Sequence, residues 1–112
     1  MSEGYYAMER LLQKMPELTG VFAMSDVMAI GAIRALRDEG LKVPEDVSVV
    51  GFDGLPLGSF LVPQLSTIAQ PVKIMAQRSV EILIQCIEQQ GQARHETVPF
   101  ELYQRDSSRK IG

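Results

Sequence analysis

Tryptophan is absent, and the 112 residues contain a single cysteine and a single histidine. Each scarcity closes a line of chemistry. With Cys86 as the only thiol, no intramolecular disulfide can form, which fits a reducing compartment. On a helical seam with no histidine or basic residue beside it, Cys86 reads as a small core residue and not as a nucleophile. With His95 as the only imidazole, neither a histidine-based triad nor a multi-histidine metal site is available. His95 sits in a polar connector and reads as a surface residue. Basic blocks are also missing. Eleven Lys and Arg stand against fourteen Asp and Glu, and the net charge is −3. Free-standing nucleic-acid binding is therefore disfavoured, because that affinity comes largely from neutralised phosphates. No apolar run reaches membrane-spanning length. The start, MSEGYYAMER, has no basic region followed by an apolar core, so no secretory signal is expected and a cytoplasmic location is. There are no repeats and no low-complexity stretches.

What is present is an ordinary globular composition, 46% hydrophobic and 22% charged. It is organised around Gly20–Gly54, GVFAMSDVMAIGAIRALRDEGLKVPEDVSVVGFDG. An apolar run from Gly20 to Met24 ends on Ser25-Asp26, which can cap a helix. The helix is expected from Asp26 to about Glu39, with Gly40 closing it. A second apolar run, Val47–Phe52, ends on Asp53. This strand-helix-strand pattern is that of a parallel α/β unit. Neither strand alternates with polar residues, so both are expected to be covered on both faces.

Around this unit, Ser2 can cap a helix over Gly4–Met15, with Met8, Leu11, Leu12 and Met15 on its buried face and Pro16 beyond it. Of Tyr5 and Tyr6 in its first turn, one covers core and the other reaches solvent. Leu55–Pro63 reads as a loop with a short helical turn, and Leu65–Ala69 as a third strand. Val72–Gln90 reads as a second long helix, closed by Gly91 and followed by a polar connector. Thr97–Gln104 reads as a half-buried strand, at an edge because of Pro99. The tail RDSSRKIG shows no periodicity and is expected to be loose. The stretch Val27–Ile33 is apolar or glycine at every position. Such a helix needs cover on two sides. The sheet supplies one; the second is either another packed layer within the monomer or a partner subunit, of which the partner subunit is favoured, with Gly31, Ala32 and Ala35 allowing close approach.

The glycines are too widely spaced for a phosphate loop, and Asp26, Asp53 and Asp106 form no carboxylate pair in sequence. No catalytic, cofactor or metal site is expected. What remains is binding. Ligands of parallel sheets sit at the carboxyl ends of the strands, where Ser25, Asp26 and Asp53 fall. A carboxylate there can accept hydrogen bonds from ligand hydroxyl or N–H groups, and a serine can donate or accept. Ser25 and Asp26 can equally be plain caps.

Taken together, the central stretch, PQLSTIAQPVKIMA and LYQRDSS resemble bacterial transcription regulators of the lac and galactose repressor (LacI/GalR) family. The resemblance covers nearly the whole chain, and the pairing of VPEDVSVVGFD with a later LSTIAQP is its specific part. It implies an α/β architecture: a three-layer parallel-sheet subdomain of a type I periplasmic-binding-protein-like fold, here partial. Residues 1–112 would be part of the sensor domain, with helix 72–90 belonging to the other, mostly missing subdomain. The DNA-reading helix-turn-helix has no counterpart, so operator DNA would be a partner only through a missing N-terminal segment. The resemblance implies a small-molecule effector, a sugar or a nucleoside or nucleobase, contacted by Ser25, Asp53, Val72 and Met75. It implies a homodimer interface at Val27, Ile30, Gly31, Arg34, Ser59, Phe60, Leu61 and Val62, and neither a cofactor nor a membrane partner. The alternative function is a periplasmic-type sugar-binding protein of a transport or chemotaxis system.

Overall fold

A sheet with strand order β1-β2-β3-β4 is formed by β1 (Gly20–Phe22), β2 (Ser48–Asp53), β3 (Ser66–Ala69) and β4 (Glu101–Tyr103). The computed structural model describes residues 1–88 and 95–111. Three helices, α1 (Ser2–Lys14), α2 (Asp26–Asp38) and α3 (Val72–Glu88), and a 3-10 turn over Pro56–Phe60 complete the elements. The chain forms two units, Met1–Ala69 with Leu102–Gly112, and Gln70–Glu101. β1 pairs with β2 and β2 with β3, both parallel, in the register Val21↔Val49 and Gly51↔Thr67.

In the first unit, α1 and α2 pack over one face of the sheet. Met8, Ala29, Ala32 and Leu36 meet Val47, Val49 and Leu65 there in a closed apolar core. The opposite face is less covered than the unbroken apolar strands predict. Phe22 is 57% exposed and stands edge-on to Phe52, 6.4 Å between ring centroids. β1 is thus not buried on both faces. Alternation is hidden in the sequence because both faces of this strand carry apolar side chains.

The second cover of α2 comes from within the chain. α1 lies against it so closely that a Cβ on Gly31 would overlap the Met1 carbonyl oxygen and stand 2.8 Å from the Tyr5 nitrogen. Gly31 is therefore a helix-helix contact, and it also lines an open hollow beside Ile30 and Arg34. Tyr5 packs on the core while its hydroxyl donates to Asp38 at 2.6 Å, and Tyr6 is exposed. That hydrogen bond is the main reason the Asp38 carboxyl lies below its usual range and the Tyr5 phenol is pushed up to about 12. α1 differs from expectation in its ends: Met1 is the N-cap and Ser2 lies inside the helix, while Met15 is exposed.

The tail is the clearest departure. Ser107 is fully buried, and its hydroxyl donates to the Val49 carbonyl at 2.6 Å and accepts from the Ser66 N–H at 2.8 Å. Its backbone bonds Val49 and Gln64, and Ser66 accepts from the Arg105 N–H. Polar tail residues thus satisfy backbone groups on β2 and β3. A run without periodicity does this because its partners are main-chain atoms, which impose no hydrophobic pattern.

In the second unit, α3 begins at Val72 and has no buried residue. Arg78 holds Glu96 at 2.8 Å and also pairs with Glu81. β4, whose last two residues belong to the first unit, spans three residues where eight were expected, and Phe100 and Leu102 are exposed instead of half-buried. The expected end of α3 at Gln90, its closure at Gly91 and part of the connector lie outside the described residues. His95 is exposed and Cys86 half-buried.

Two stability outcomes follow from this packing. By helix propensity alone, Gly31→Ala gains about 1 kcal/mol. The contact with α1 reverses the sign, and urea unfolding should show a net loss of about 1–3 kcal/mol; a more stable variant would mean that α1 is not held this close. Ser107→Ala strips the Ser66 N–H of its acceptor and the Val49 carbonyl of a donor. Unfolding should register about 2–3 kcal/mol lost, and an unchanged midpoint would show the tail to be loose after all.

Candidate functional site

The parallel register puts the carboxyl ends of β1 and β2 side by side, and Ser25 and Asp53 stand there in the first unit. Ser25 is the N-cap of α2, and its hydroxyl oxygen accepts from the Met28 N–H at 3.1 Å. The hydroxyl proton is not used in that bond and can still be donated. Asp53 is half-buried, with a φ of 135°. It is the one non-glycine residue with positive φ among the described residues. Such a conformation costs about 1–3 kcal/mol and persists only where the surroundings enforce it.

Those surroundings centre on Asp26, which is 0% exposed. Its Oδ2 accepts from the Leu55 N–H at 2.7 Å, and its Oδ1 from the Thr67 hydroxyl at 2.6 Å. A side chain at position 51 would collide with that carboxylate, so Gly51 leaves the room it occupies. From sequence, Asp26 reads as a helix cap. Ser25 already fills that role, and the signal that gives Asp26 another is the alignment of Gly51 with Thr67 across two strands. That alignment cannot be read before the register is known.

Val72 and Met75 belong to the second unit. They are three residues apart in the first turns of α3, on one side of the helix, and both are exposed. The structure thus brings the four expected effector residues together as two pairs, Ser25 with Asp53 and Val72 with Met75.

The expected partner residues are joined more completely. A groove of about 340 Å³ runs between α2 and the segment after the 3-10 turn, with Ile30, Arg34, Phe60, Leu61 and Val62 in its walls. Phe60 and Val62 are each 82% exposed. The segment is tied to the helix by Arg37, whose guanidinium donates to the Val62 carbonyl. Arg37 was not singled out in the sequence, since a charged residue near a helix end carries no sign of a tertiary bond. A second hollow, about 290 Å³, shares Ile30 and Arg34 and adds Tyr5 and Tyr6. Val27 is outside both hollows, and the Ser59 hydroxyl bonds back to the Pro56 carbonyl at 2.8 Å within its own turn.

Residues 1–108 match the family described as periplasmic binding protein-like domain. The chain is 45% identical over 103 residues to the HTH-type transcriptional regulator MalR of Clostridium butyricum, a match covering 92% of this chain and 31% of MalR. It therefore spans about a third of the length of that relative. Its structure superposes with a TM-score of 0.87 on the lac repressor dimer bound to operator and the anti-inducer ONPF, at 32% identity, over 96% of this chain and 37% of that one. A LacI family transcriptional regulator from Arthrobacter sp. FB24, in complex with lactose, gives a TM-score of 0.80 at 34% identity, over 95% of this chain and 41% of that one. The chain belongs to the periplasmic binding protein-like domain family, and within it to the transcription regulators of the lac and galactose repressor type.

Proposed function

We propose that this chain is the sensing and dimerising portion of a sugar- or nucleoside-responsive bacterial repressor working in the cytoplasm. The observation that carries the reading is Asp53, an aspartate held at positive φ on the carboxyl edge of a parallel sheet beside the free donor of Ser25. A polyhydroxylated ligand offers the O–H donors that such a carboxylate accepts, and the acceptors that such a serine meets. In this reading Val72 and Met75 supply an apolar wall for the ligand. Helix 72–90 belongs to the other half of the sensor, which is supported by the separate unit Gln70–Glu101. The protein has no catalytic role, cofactor or metal in this proposal, and relatives such as MalR are named as regulators.

The groove of Ile30, Arg34, Phe60, Leu61 and Val62 is the surface for a second copy of the chain. Its exposed apolar side chains with arginines at the margin have the composition of an interface core and rim. The lac repressor neighbour is a dimer on its operator. By analogy, operator DNA is reached through a helix-turn-helix upstream of this segment. Effector binding at Asp53 biases closure of the sensor halves and so shifts the population of the DNA-binding arrangement.

Calorimetric titration of the full-length gene product with ribose, maltose, lactose and guanosine tests the pocket. Asp53→Ala should weaken the ligand that binds by about 10- to 100-fold, the worth of a charge-assisted hydrogen bond. Wild-type affinity in the variant would remove Asp53 from the site. For the interface, Ile30→Asp buries an unpaired charge in the groove, and sedimentation should show the dimer shifted to monomer; a persisting dimer would place the contact elsewhere.

A further inference from the structure

We infer that Asp26 is a positioning residue for Asp53, holding that aspartate in its strained, ligand-directed backbone conformation; the inference rests on the reading of Asp53 as a ligand-binding residue. The Asp26 carboxylate grips the chain on both sides of Asp53. After it, Oδ2 accepts from the N–H of Leu55, two residues on. Before it, the other oxygen fills the space left by Gly51, two residues back. That oxygen is fixed by Thr67, the β3 residue in register with Gly51. The strand end and the loop start are thus clamped at residues 51 and 55, and the intervening turn must absorb the reversal of the chain. Asp53 takes it up at φ 135°.

A capping role does not account for this arrangement. Ser25 already satisfies the Met28 N–H at the start of α2, and both hydrogen bonds of the Asp26 side chain leave the helix, to residues 29 and 41 positions away. Nor is exposure compatible with a direct ligand contact, since Asp26 has no accessible surface. A fully buried carboxylate is retained only where its donors are supplied, and here those donors belong to the turn beneath the candidate ligand residue and to the neighbouring strand.

Two substitutions of the same shape separate the positioning role from plain packing. In Asp26→Asn the amide oxygen can still accept from Leu55, while the Thr67 hydroxyl turns to accept from the amide nitrogen. Asp26→Leu can accept nothing. The three-bond coupling between the amide and α protons of residue 53 reads its φ directly and needs no ligand. In the 112-residue chain it should keep its wild-type value in Asp26→Asn and move to that of an extended residue in Asp26→Leu. In Leu36→Ala, a destabilising core substitution away from the turn, it should not move. Ligand affinity of the full-length gene product, for whichever of ribose, maltose, lactose or guanosine the wild type binds, should fall at least tenfold in Asp26→Leu alone. Should Asp26→Leu not fold, Asp26→Ser replaces it, being too short to reach Leu55. An unchanged coupling and an unchanged affinity in the leucine or serine variant overturn the inference. An unchanged affinity in Asp53→Ala overturns the reading of Asp53 instead, and leaves the coupling test of Asp26 standing.

Discussion

A carboxylate sealed from water must be met by donors from the protein itself, or its burial costs several kcal/mol. Asp26 is met by a backbone N–H from the loop after β2 and by a hydroxyl from β3, while it stands in the first turn of α2. Three segments distant in sequence are thereby fixed at one corner of the sheet. The bare backbone at Gly51 gives the carboxylate its space. Both candidate ligand residues of the first unit border this corner: Ser25 precedes Asp26 in sequence, and Asp53 lies between the clamped positions. The two neighbours are polar and partly accessible, and the residue that registers them is neither available to solvent nor replaceable by an apolar one without stranding its donors.

The same helix that starts at this corner carries its other neighbours along its length. α2 is apolar nearly all round because the sheet covers one side and α1 another. What remains outward is a narrower strip at Ile30 and Arg34, widened by the segment that Arg37 ties alongside. A single helix therefore serves three neighbours, and the residue sizes follow: glycine and alanine where backbone approaches, isoleucine and arginine where it does not.

Much of this was legible in the residues. The Ser25 cap, the closure near Gly40 and the strand ending at Asp53 stand where turn and capping chemistry put them, because those signals act through neighbouring backbone atoms. The face assignments fared less well. An all-apolar helix announces two covers without saying whose they are, and α1 supplies one of them. The exposed side of β1 was hidden because Phe22 is as apolar as the buried residues around it. Asp26 and Ser107 were misread for a common reason. Each spends its polar atoms on partners more than twenty-five positions away, and short-range patterns carry no trace of such bonds.

Ser107 also bears on the order in which this fold can be assembled. The opening residues of β2 and β3 receive main-chain and hydroxyl bonds from a segment that follows all four strands in sequence. During synthesis α1, β1, α2, β2 and β3 leave the ribosome first, with the N–H of Ser66 and the carbonyl of Val49 still lacking the partners that bury with them. Those two groups are paired only once residue 107 is in place, so the middle of this sheet stays open to water until the tail arrives.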